Sequence, residues 1–430
     1  MTDLLVVGGG PAGVAAARAG AARGAIVCLV ERAALGGVCV NAGCIPAGAL
    51  HRTAEVLDLT RRATSIGIAG VGEPRVDWPA MQAWTGSVVQ KATSMTRASL
   101  EAARVEVLQE RAVFEAGGRV QVGSRVFEAT PCVIATGARS YLPEEAAALS
   151  CLKLTNDEAM AVDRPPPRLL VAGAGRFSLE WADFFAHLGS RVTVATAQPR
   201  PLPDEDADLA GYLQLLLEER GVVFELGREG LEGLEADAVL FADTRRPNLE
   251  GLEALGLEVG EPGGLAVDAS GRASRQGFFA AGDVTGPPWL SNLARAQGAA
   301  AAVTALGGSA KVRPERLPRS VNTHPELAAV GLTEEQARAR GVEPAVGFGE
   351  MVTNLRAVTL GEDRGALKLV VDPEFGEILG AHMVGAGAVE VIAQLAAAME
   401  LEADFRDLAR VHHLHPSLAE LVTDAIAAIE

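Results

Sequence analysis

Two stretches of the chain share one pattern of apolar and polar residues. Residues 4–31 and residues 169–196 each begin with an apolar run, pass through a glycine-containing turn and a longer Ala-rich or amphipathic segment, and end in a second apolar run. Short apolar runs next to glycine are typical of buried strands, and the longer segment has the period of a helix. Each stretch is therefore predicted to form a β-α-β unit.

The glycine turn of the first stretch has the spacing G-x-G-x-x-G. These glycines allow a tight turn, close approach of the backbone to a diphosphate, and close packing of helix on strand. The diphosphate would lie at the helix N-terminus, where N–H groups have no partner within the helix. The residues predicted to bind it are Gly8, Gly10, Pro11, Ala12 and Gly13. Glu31 ends the second strand and is placed to accept hydrogen bonds from a ribose, although an ordinary tight turn is the alternative interpretation.

The second stretch departs from this pattern in two places. Gly173 and Gly175 are present, but Ser178 replaces the third glycine. Glu31 follows Gly8 by 23 positions, and the same offset from Gly173 leads to the neutral Thr196. Because an acid at this position favours NAD and a nearby arginine favours NADP, the sequence leaves the choice between NADH and NADPH open.

Composition excludes several classes of function. The formal charge of -17 and a pI near 5.0 oppose binding to nucleic acid, which depends on basic residues. No run of eighteen apolar residues is free of charge and glycine, and no basic segment precedes the apolar run at residues 4–7. We therefore expect a cytoplasmic protein that is neither membrane-bound nor processed.

Two of the five cysteines are close together, in the segment Cys39-Val-Asn-Ala-Gly-Cys44. Five cysteines are too few for a secreted disulfide scaffold in a chain of this size, so this pair suggests redox chemistry. Two thiols at this spacing can close a small ring, and a helix N-terminus stabilises a thiolate. A zinc site with His413 and His415 is the alternative, but no second cysteine pair has metal-ligand spacing, so no metal is predicted.

The cysteine segment resembles the class I pyridine nucleotide-disulfide oxidoreductases, the family of dihydrolipoamide dehydrogenase, glutathione reductase and mercuric reductase. Further motifs of the family follow in order along nearly the whole chain. They are Ala135-Thr136-Gly137, Arg245-Arg246-Pro247-Asn248, Ala281-Gly282-Asp283, Thr323-His324-Pro325-Glu326 and His415-Pro416.

The resemblance implies an α/β fold with two Rossmann-like dinucleotide-binding domains and a C-terminal α+β dimerisation domain. Residues 1–145 and 270–313 would bind FAD, and a shortened second domain at 146–269 would bind NAD(P)H. Residues 314–430 would form the interface of a homodimer. In this last region, alternation predicts strands that begin at Ala366 and Ile378, followed by a helix over 388–401.

The resemblance also implies roles for the redox residues. Cys44 would lie nearest the flavin as a thiolate, and Cys39 would exchange with substrate sulfur. His415 would act as a base from the partner subunit, with its ring polarised by Glu420. Ser417-x-x-Glu420 also fits a helix capping box, and both roles can coexist.

Further cofactor-binding residues follow from the same comparison. Asp283 resembles the residue that binds the flavin ribityl chain, although a plain turn at the end of a strand is the alternative. The other residues assigned to the two cofactors are Gly37, Val38, Cys39, Cys44, Ala135, Thr136, Gly137, Gly282, Gly173, Gly175 and Glu180.

The chain departs from the family after the second cysteine. Ala47-Gly48 stands where the family usually has Ser-Lys, so the lysine expected beneath the flavin is missing. Glu180 matches the usual partner of that lysine. Arg176 lies four positions earlier on the same predicted helix, and we expect it to pair with Glu180 instead. Arg176 also replaces a frequent aromatic gate over the nicotinamide, which weakens the case for ordinary NAD(P)H binding.

The resulting interpretation is a dihydrolipoamide dehydrogenase-like enzyme that uses FAD and NAD(P)H. Its substrate would be a small disulfide or dithiol, or a lipoylated protein domain. Mercury reduction is disfavoured because no cysteine follows Cys151. The alternatives are a flavin-dependent quinone reductase or NADH oxidase, and a degenerate FAD-binding protein with little nicotinamide-dependent turnover.

Overall fold

The structure, a computed structural model, describes residues 2–128 and 130–429. Its β-strands are, in chain order, β1 (Leu4–Val7), β2 (Val27–Val30), β3 (Glu106–Leu108), β4 (Ala112–Phe114), β5 (Val120–Val122), β6 (Arg125–Phe127), β7 (Cys132–Ile134), β8 (Ala138–Ser140), β9 (Leu152–Thr155), β10 (Arg168–Ala172), β11 (Arg191–Thr196), β12 (Val223–Leu226), β13 (Ala238–Phe241), β14 (Arg245–Pro247), β15 (Phe278–Ala280), β16 (Arg319–Val321), β17 (Leu327–Gly331), β18 (Ala345–Glu350), β19 (Ala366–Val371) and β20 (Ile378–Val384).

The α-helices are, in chain order, α1 (Pro11–Ala22), α2 (Gly37–Asn41), α3 (Cys44–Arg62), α4 (Trp78–Ala102), α5 (Asn156–Ala159), α6 (Arg176–His187), α7 (Ala207–Glu219), α8 (Ser291–Ala305), α9 (Glu334–Ala339), α10 (Leu355–Leu360), α11 (Ala388–Glu400), α12 (Phe405–Leu408) and α13 (Glu420–Ala427).

The chain divides into two compact units. The first unit contains residues 2–50, 77–142 and 244–314, and the second contains residues 51–76, 143–243 and 315–429. The segment 244–269 therefore belongs to the first unit, where β14 pairs with β8. The division into three domains at 145, 269 and 313 stays a prediction.

A parallel five-stranded sheet forms the centre of the first unit. Its strand order is β15-β7-β1-β2-β3, with Leu5 opposite both Cys28 and Cys132. Strand β1 is buried along its whole length, as expected for a parallel strand covered on both faces. Leu4 and Val6 belong to one apolar core with residues of α1 and α8, and Leu5 and Val7 belong to a second core.

The second unit contains another parallel sheet, with the order β12-β11-β10-β13-β9. Helix α6 follows β10 and buries Trp181, Phe184 and Phe185, whose ring centroids lie 5.1 to 5.6 Å apart. Between β12 and β13 the described residues form no further strand, which agrees with the short second domain predicted from the sequence. Both predicted β-α-β units are therefore present.

An antiparallel sheet with the order β16-β17-β20-β19-β18 completes the second unit. Helices α11 and α13 pack on it, and the shared core includes Leu367, Leu369, Leu395 and Leu421. Helix α11 ends at Glu400, one residue before the predicted end, and β19 and β20 begin at the predicted residues. The two parallel sheets and this antiparallel sheet confirm the predicted fold class.

The acidic run Asp204-Glu205-Asp206-Ala207-Asp208 corrects a sequence-based expectation. Such a run is expected to be a solvated helix start, and α7 does begin there. Asp206, however, is the buried N-cap of α7 and lies 3.0 Å from Nζ of Lys368. The expectation of solvation was wrong for Asp206. Its burial depends on the ion pair with Lys368, which is distant in sequence and cannot be identified from the local pattern.

No helix in the described part of the chain is both long and apolar enough to cross a membrane.

Candidate active site

The first glycine turn connects β1 to α1 in a backbone conformation that only glycine adopts easily. Gly8 has a φ of +111°, and a Cβ atom there would lie 2.1 Å from the carbonyl oxygen of Ala135. A Cβ atom on Gly13 would lie 1.8 Å from the carbonyl oxygen of Gly8. The turn is therefore closed by contacts between backbone segments, as a diphosphate-binding loop requires.

The N-terminus of α1 is free to receive an anion. Its N-cap is Gly10 and its first residue is Pro11, with no side-chain cap and no acidic residue in the first turn. Glu31 lies beside this turn, where its carboxylate accepts hydrogen bonds of 2.6 Å from Gly9 N–H and 2.7 Å from Ala33 N–H. These residues fit the diphosphate and adenosine ribose of a dinucleotide.

The short helix α2, which carries Cys39, packs directly on this turn. A Cβ atom on Gly37 would lie 2.7 Å from Cα of Gly10, so the two segments meet backbone to backbone. Gly43 approaches α2 from the other end, since a Cβ atom there would lie 2.9 Å from the carbonyl oxygen of Val38. The segment that joins the two cysteines is thus folded tightly back on itself.

Cys39 and Cys44 have unequal environments. Cys44 is the first residue of α3, and its sulfur lies 3.2 Å from the hydroxyl oxygen of Ser291. A hydrogen bond from the Cys39 thiol, helped by Ser291 and a backbone N–H, lowers the pKa of Cys44 to about 6 although burial acts in the opposite direction. The same hydrogen bond and burial raise the pKa of Cys39. Cys44 is therefore the thiolate of the pair at neutral pH.

Asp283 follows β15 in the first unit. The preceding Gly282 has a φ of +78° and packs on α1, because a Cβ atom there would lie 2.8 Å from Cβ of Ala12. Its N–H donates to the side-chain oxygen of Gln297 at 2.9 Å. Nη2 of Arg245 lies 3.7 Å from the Asp283 carboxylate. Asp283 is thus held by the turn that also supports the glycine loop.

The motifs at residues 135–137 and 245–248 form one interlocked structure. The Thr136 hydroxyl donates to the carbonyl of Asn248, and the Asn248 side chain donates to the carbonyl of Thr136, both at 2.9 Å. Asn248 N–H donates to the carbonyl of Gly137 at 2.8 Å. The sequence predicts a place in the cofactor site for Thr136 and Gly137 but not for Asn248. The only signal for Asn248 was its place in a family motif.

The second glycine turn differs from the first. Gly173 has a φ of +111° and Gly175 caps α6, as the pattern predicts. The carboxylate of Asp243 accepts hydrogen bonds of 3.0 Å from Gly175 N–H and 3.1 Å from Phe177 N–H. Sequence reasoning missed Asp243, although an acid directly after an apolar strand lies at the edge of a parallel sheet where ligands bind.

Glu180 lies on α6, where its carboxylate accepts hydrogen bonds of 2.8 and 3.0 Å from the backbone and side-chain N–H groups of Asn322. The guanidinium of Arg176 lies 5.5 Å from the ring centroid of Phe177. The pairing of Arg176 with Glu180 stays a prediction.

His415 and Glu420 lie together in the second unit. Nδ1 of His415 is 2.9 Å from Oε1 of Glu420, whose other oxygen accepts from Ser417 N–H at 2.8 Å. The hydrogen bond from Ser417 N–H is the larger of two hydrogen bonds that lower the pKa of Glu420. The other is the hydrogen bond with His415. The hydrogen bond from Ser417 N–H to Glu420 is one half of the capping box that the sequence allows. The other half is not made, because the Ser417 hydroxyl has no partner and α13 begins at Glu420. His413 instead contacts the Thr423 hydroxyl.

Within the described residues, no three His, Cys, Asp or Glu side chains are grouped so that they could hold a metal ion.

Comparison with known proteins defines the class to which this fold and cysteine pair belong. Residues 2–305 match the family model of pyridine nucleotide-disulphide oxidoreductases, and residues 317–426 match the dimerisation domain of the same family. The chain belongs to this family and is an FAD-dependent oxidoreductase. The predicted use of FAD and NAD(P)H agrees with the family.

Particular relatives are similar over the full length. A dihydrolipoyl dehydrogenase of Haloarcula marismortui is 35% identical over 99% of this chain and 96% of the relative. One from Thermus scotoductus is 36% identical over 99% of this chain and 97% of the relative.

Solved structures of disulfide reductases are also similar over the full length. LpdA from Mycobacterium tuberculosis has 27% identity and a TM-score of 0.89, and the similarity covers 99% of both chains. The HOCl-induced flavoprotein disulfide reductase RclA from Escherichia coli has 26% identity and a TM-score of 0.86, with all of both chains covered.

Proposed function

We propose that this protein oxidises a dihydrolipoyl-type dithiol, either small or carried on a protein domain, and passes the electrons to NAD(P)⁺. The observation that carries the proposal is the unequal pair of thiols, in which the hydrogen bond from Cys39 favours the thiolate of Cys44, and Ser291 lies 3.2 Å from that sulfur. The full-length similarity to dihydrolipoyl dehydrogenases supports the choice of substrate class.

The first half-reaction is thiol–disulfide exchange. A substrate thiolate attacks the sulfur of Cys39 in the Cys39–Cys44 disulfide, which forms a mixed disulfide and releases Cys44 as a thiolate. The second substrate thiolate then attacks the substrate sulfur of the mixed disulfide and releases Cys39. The substrate leaves as a cyclic disulfide, so it loses two electrons and the cysteine pair gains them.

The direction of attack follows from the two environments. A thiol of low pKa is the better leaving group, and the pKa of Cys44 is the lowered one. Ser291 and the first N–H groups of α3 stabilise the negative charge that develops on Cys44 as the disulfide opens.

The first glycine turn is the proposed binding site for FAD, which when bound supplies a two-electron acceptor between the thiols and the nicotinamide. The open N-terminus of α1 would hold the diphosphate, Glu31 the ribose, and Asp283 the ribityl chain.

His415 is the proposed base for the substrate thiol. Glu420 lies 2.9 Å from its Nδ1, which leaves Nε2 to accept the proton. The His415 side chain is 65% exposed. Since residues 317–426 match a dimerisation domain, we propose a homodimer in which His415 of one subunit serves the cysteine pair of the other.

Anaerobic mixing of the FAD-loaded protein with dihydrolipoamide tests this function. The dithiol is expected to bleach the flavin absorbance, whereas reduced glutathione at equal thiol concentration is not. Cys39→Ser and Cys44→Ser should each slow the reaction by about a hundredfold or more, because each removes a sulfur that exchanges. Cys151→Ser is the matched control and should react like the wild type.

Full activity of Cys44→Ser with a quinone or oxygen as acceptor, together with no reaction with dihydrolipoamide in the wild type, would instead support a quinone reductase or an NADH oxidase.

A further inference from the structure

The carboxylate of Asp243 occupies the start of α6. Its Oδ2 accepts from Gly175 N–H at 3.0 Å and its Oδ1 accepts from Phe177 N–H at 3.1 Å. A Cβ atom on Gly175 would lie 2.6 Å from Oδ2, so the carboxylate is packed against the glycine itself. Asp243 therefore bonds to donors in the first turn of the helix.

In a dinucleotide-binding β-α-β unit, these donors hold the diphosphate of the ligand. The chain offers its own comparison, because α1 begins in the same way. Gly10 and Gly175 cap their helices with almost the same φ, -77° and -78°, and neither helix has an acid in its own first turn. In the first turn the carboxylate of Glu31 bonds to Gly9 N–H, one residue before the N-cap, whereas Asp243 bonds to the N–H groups of the N-cap Gly175 and of Phe177 in α6.

Asp243 is held in this position by its two hydrogen bonds and by the packing of the turn around it. Ser178, which replaces the third glycine, is fully buried, and its Oγ lies 3.3 Å from the position of a Cβ atom on Gly173. Burial raises the pKa of Asp243, while the hydrogen bonds from Gly175 N–H and Phe177 N–H act against that rise. Oδ2 of Asp243 lies 3.4 Å from the same Cβ position on Gly173, so Ser178 and Asp243 both pack against this glycine.

We propose that Asp243 is an internal anion that competes with the dinucleotide diphosphate for the first turn of α6 and thereby sets the affinity for the nicotinamide coenzyme. A carboxylate and a diphosphate are both negative and cannot use the same N–H groups at once. Coenzyme binding therefore requires Asp243 to leave the turn. Since the diphosphate is common to NADH and NADPH, displacement of Asp243 lowers the affinity for both coenzymes equally.

The inference rests on the proposed function, since it assumes that the second turn receives the coenzyme. Its test is the binding of ADP-ribose, which has the diphosphate but no redox activity, to the FAD-loaded protein by calorimetry. Asp243→Asn keeps an acceptor for the helix N–H groups without the charge. It should lower the Kd about tenfold, as removal of one like charge at a helix terminus allows. Asp163→Asn, at an exposed position before β10, removes the same charge and should leave the Kd unchanged.

Adenosine, which has no diphosphate, should bind the wild type and Asp243→Asn equally. Asp243→Ser provides a second cap of different size if the asparagine variant does not fold. An ADP-ribose Kd that is unchanged or raised in the folded variants would overturn the proposal. Reduction of the flavin by dihydrolipoamide needs no nicotinamide, so its failure would count against the proposed function and not against the role of Asp243.

Discussion

The sulfur of Cys44 and the hydroxyl of Ser291 lie 3.2 Å apart, although 247 positions separate them in the sequence. Ser291 is the first residue of α8 and Cys44 the first residue of α3, so the contact joins the starts of two helices. It adds to the hydrogen bond from Cys39, the larger cause, in lowering the pKa of Cys44.

Replacement of Ser291 by alanine should raise the pKa of Cys44. We expect the alkylation rate of the reduced, FAD-free protein by iodoacetamide at pH 6 to fall about threefold or more, because a charge-assisted hydrogen bond to the thiolate is lost. Ser94→Ala, on the exposed face of α4, is the control. An unchanged pH profile of alkylation would show that the hydroxyl does not act on the thiolate.

In the wild type, the same alkylation rate should follow the ionisation of Cys44. Below the pKa of about 6, the rate should drop about tenfold per pH unit, and above it the rate should level off. A midpoint near the ordinary thiol value would contradict the assignment of Cys44 as the thiolate. Cys39→Ser should move the midpoint upward, because the hydrogen bond from Cys39 is the largest cause of the lowered pKa.

Glu420 is expected to position His415 through the 2.9 Å contact with its Nδ1. Glu420→Gln should reduce the rate of dihydrolipoamide oxidation by about tenfold, because the ring loses the carboxylate that orients Nε2 towards the substrate thiol.

His413→Gln is the matched control, because it alters a neighbouring histidine that contacts the Thr423 hydroxyl. It should leave the rate of dihydrolipoamide oxidation unchanged.

Lys368 should be important for stability. Its ammonium group is almost fully buried and lies within 3.0 Å of three carboxylates, those of Asp206, Asp208 and Glu334. Burial acts to lower the pKa of Lys368, but the three carboxylates together raise it. Lys368→Met should lower the free energy of unfolding by about 3 kcal/mol, because it leaves the buried carboxylate of Asp206 without its cation. Urea denaturation measures this effect, and Lys91→Met at an exposed position should change it little.

His51 is expected to make stability depend on pH. Its ring packs against Trp181 and Phe184, and burial lowers its pKa to about 4. Between pH 6.5 and 4 the unfolded chain binds a proton that the folded chain does not, so this contribution is present above pH 6.5 and is lost as the pH falls towards 4. His51→Phe should reduce the change in the free energy of unfolding over this pH range by about 2 kcal/mol, as measured by urea denaturation. His412→Phe, at an exposed site, should not.

The sequence predicted those parts of the structure that depend on local pattern. Both β-α-β units and the strands at Ala366 and Ile378 are present. Each depends on residues within one or two elements, where the period of apolar residues is sufficient.

Features that depend on distant pairing were missed. Nothing near Cys44 indicates Ser291, and nothing near Asp206 indicates Lys368. Asp243 was partly predictable. Its position after an apolar strand is visible in the sequence, but its contact with α6 depends on the pairing of β13 with β10 in the sheet.

The contact between Gly37 and Gly10 limits how the redox segment can change. Only backbone atoms of Gly10 and the rigid ring of Pro11 lie at this contact, so no change of side-chain rotamer could make room for a Cβ atom on Gly37. A larger residue at Gly37 or Gly10 would therefore displace both the first glycine turn and the helix that carries Cys39. We expect such a substitution to weaken FAD binding and to slow exchange at Cys39 together.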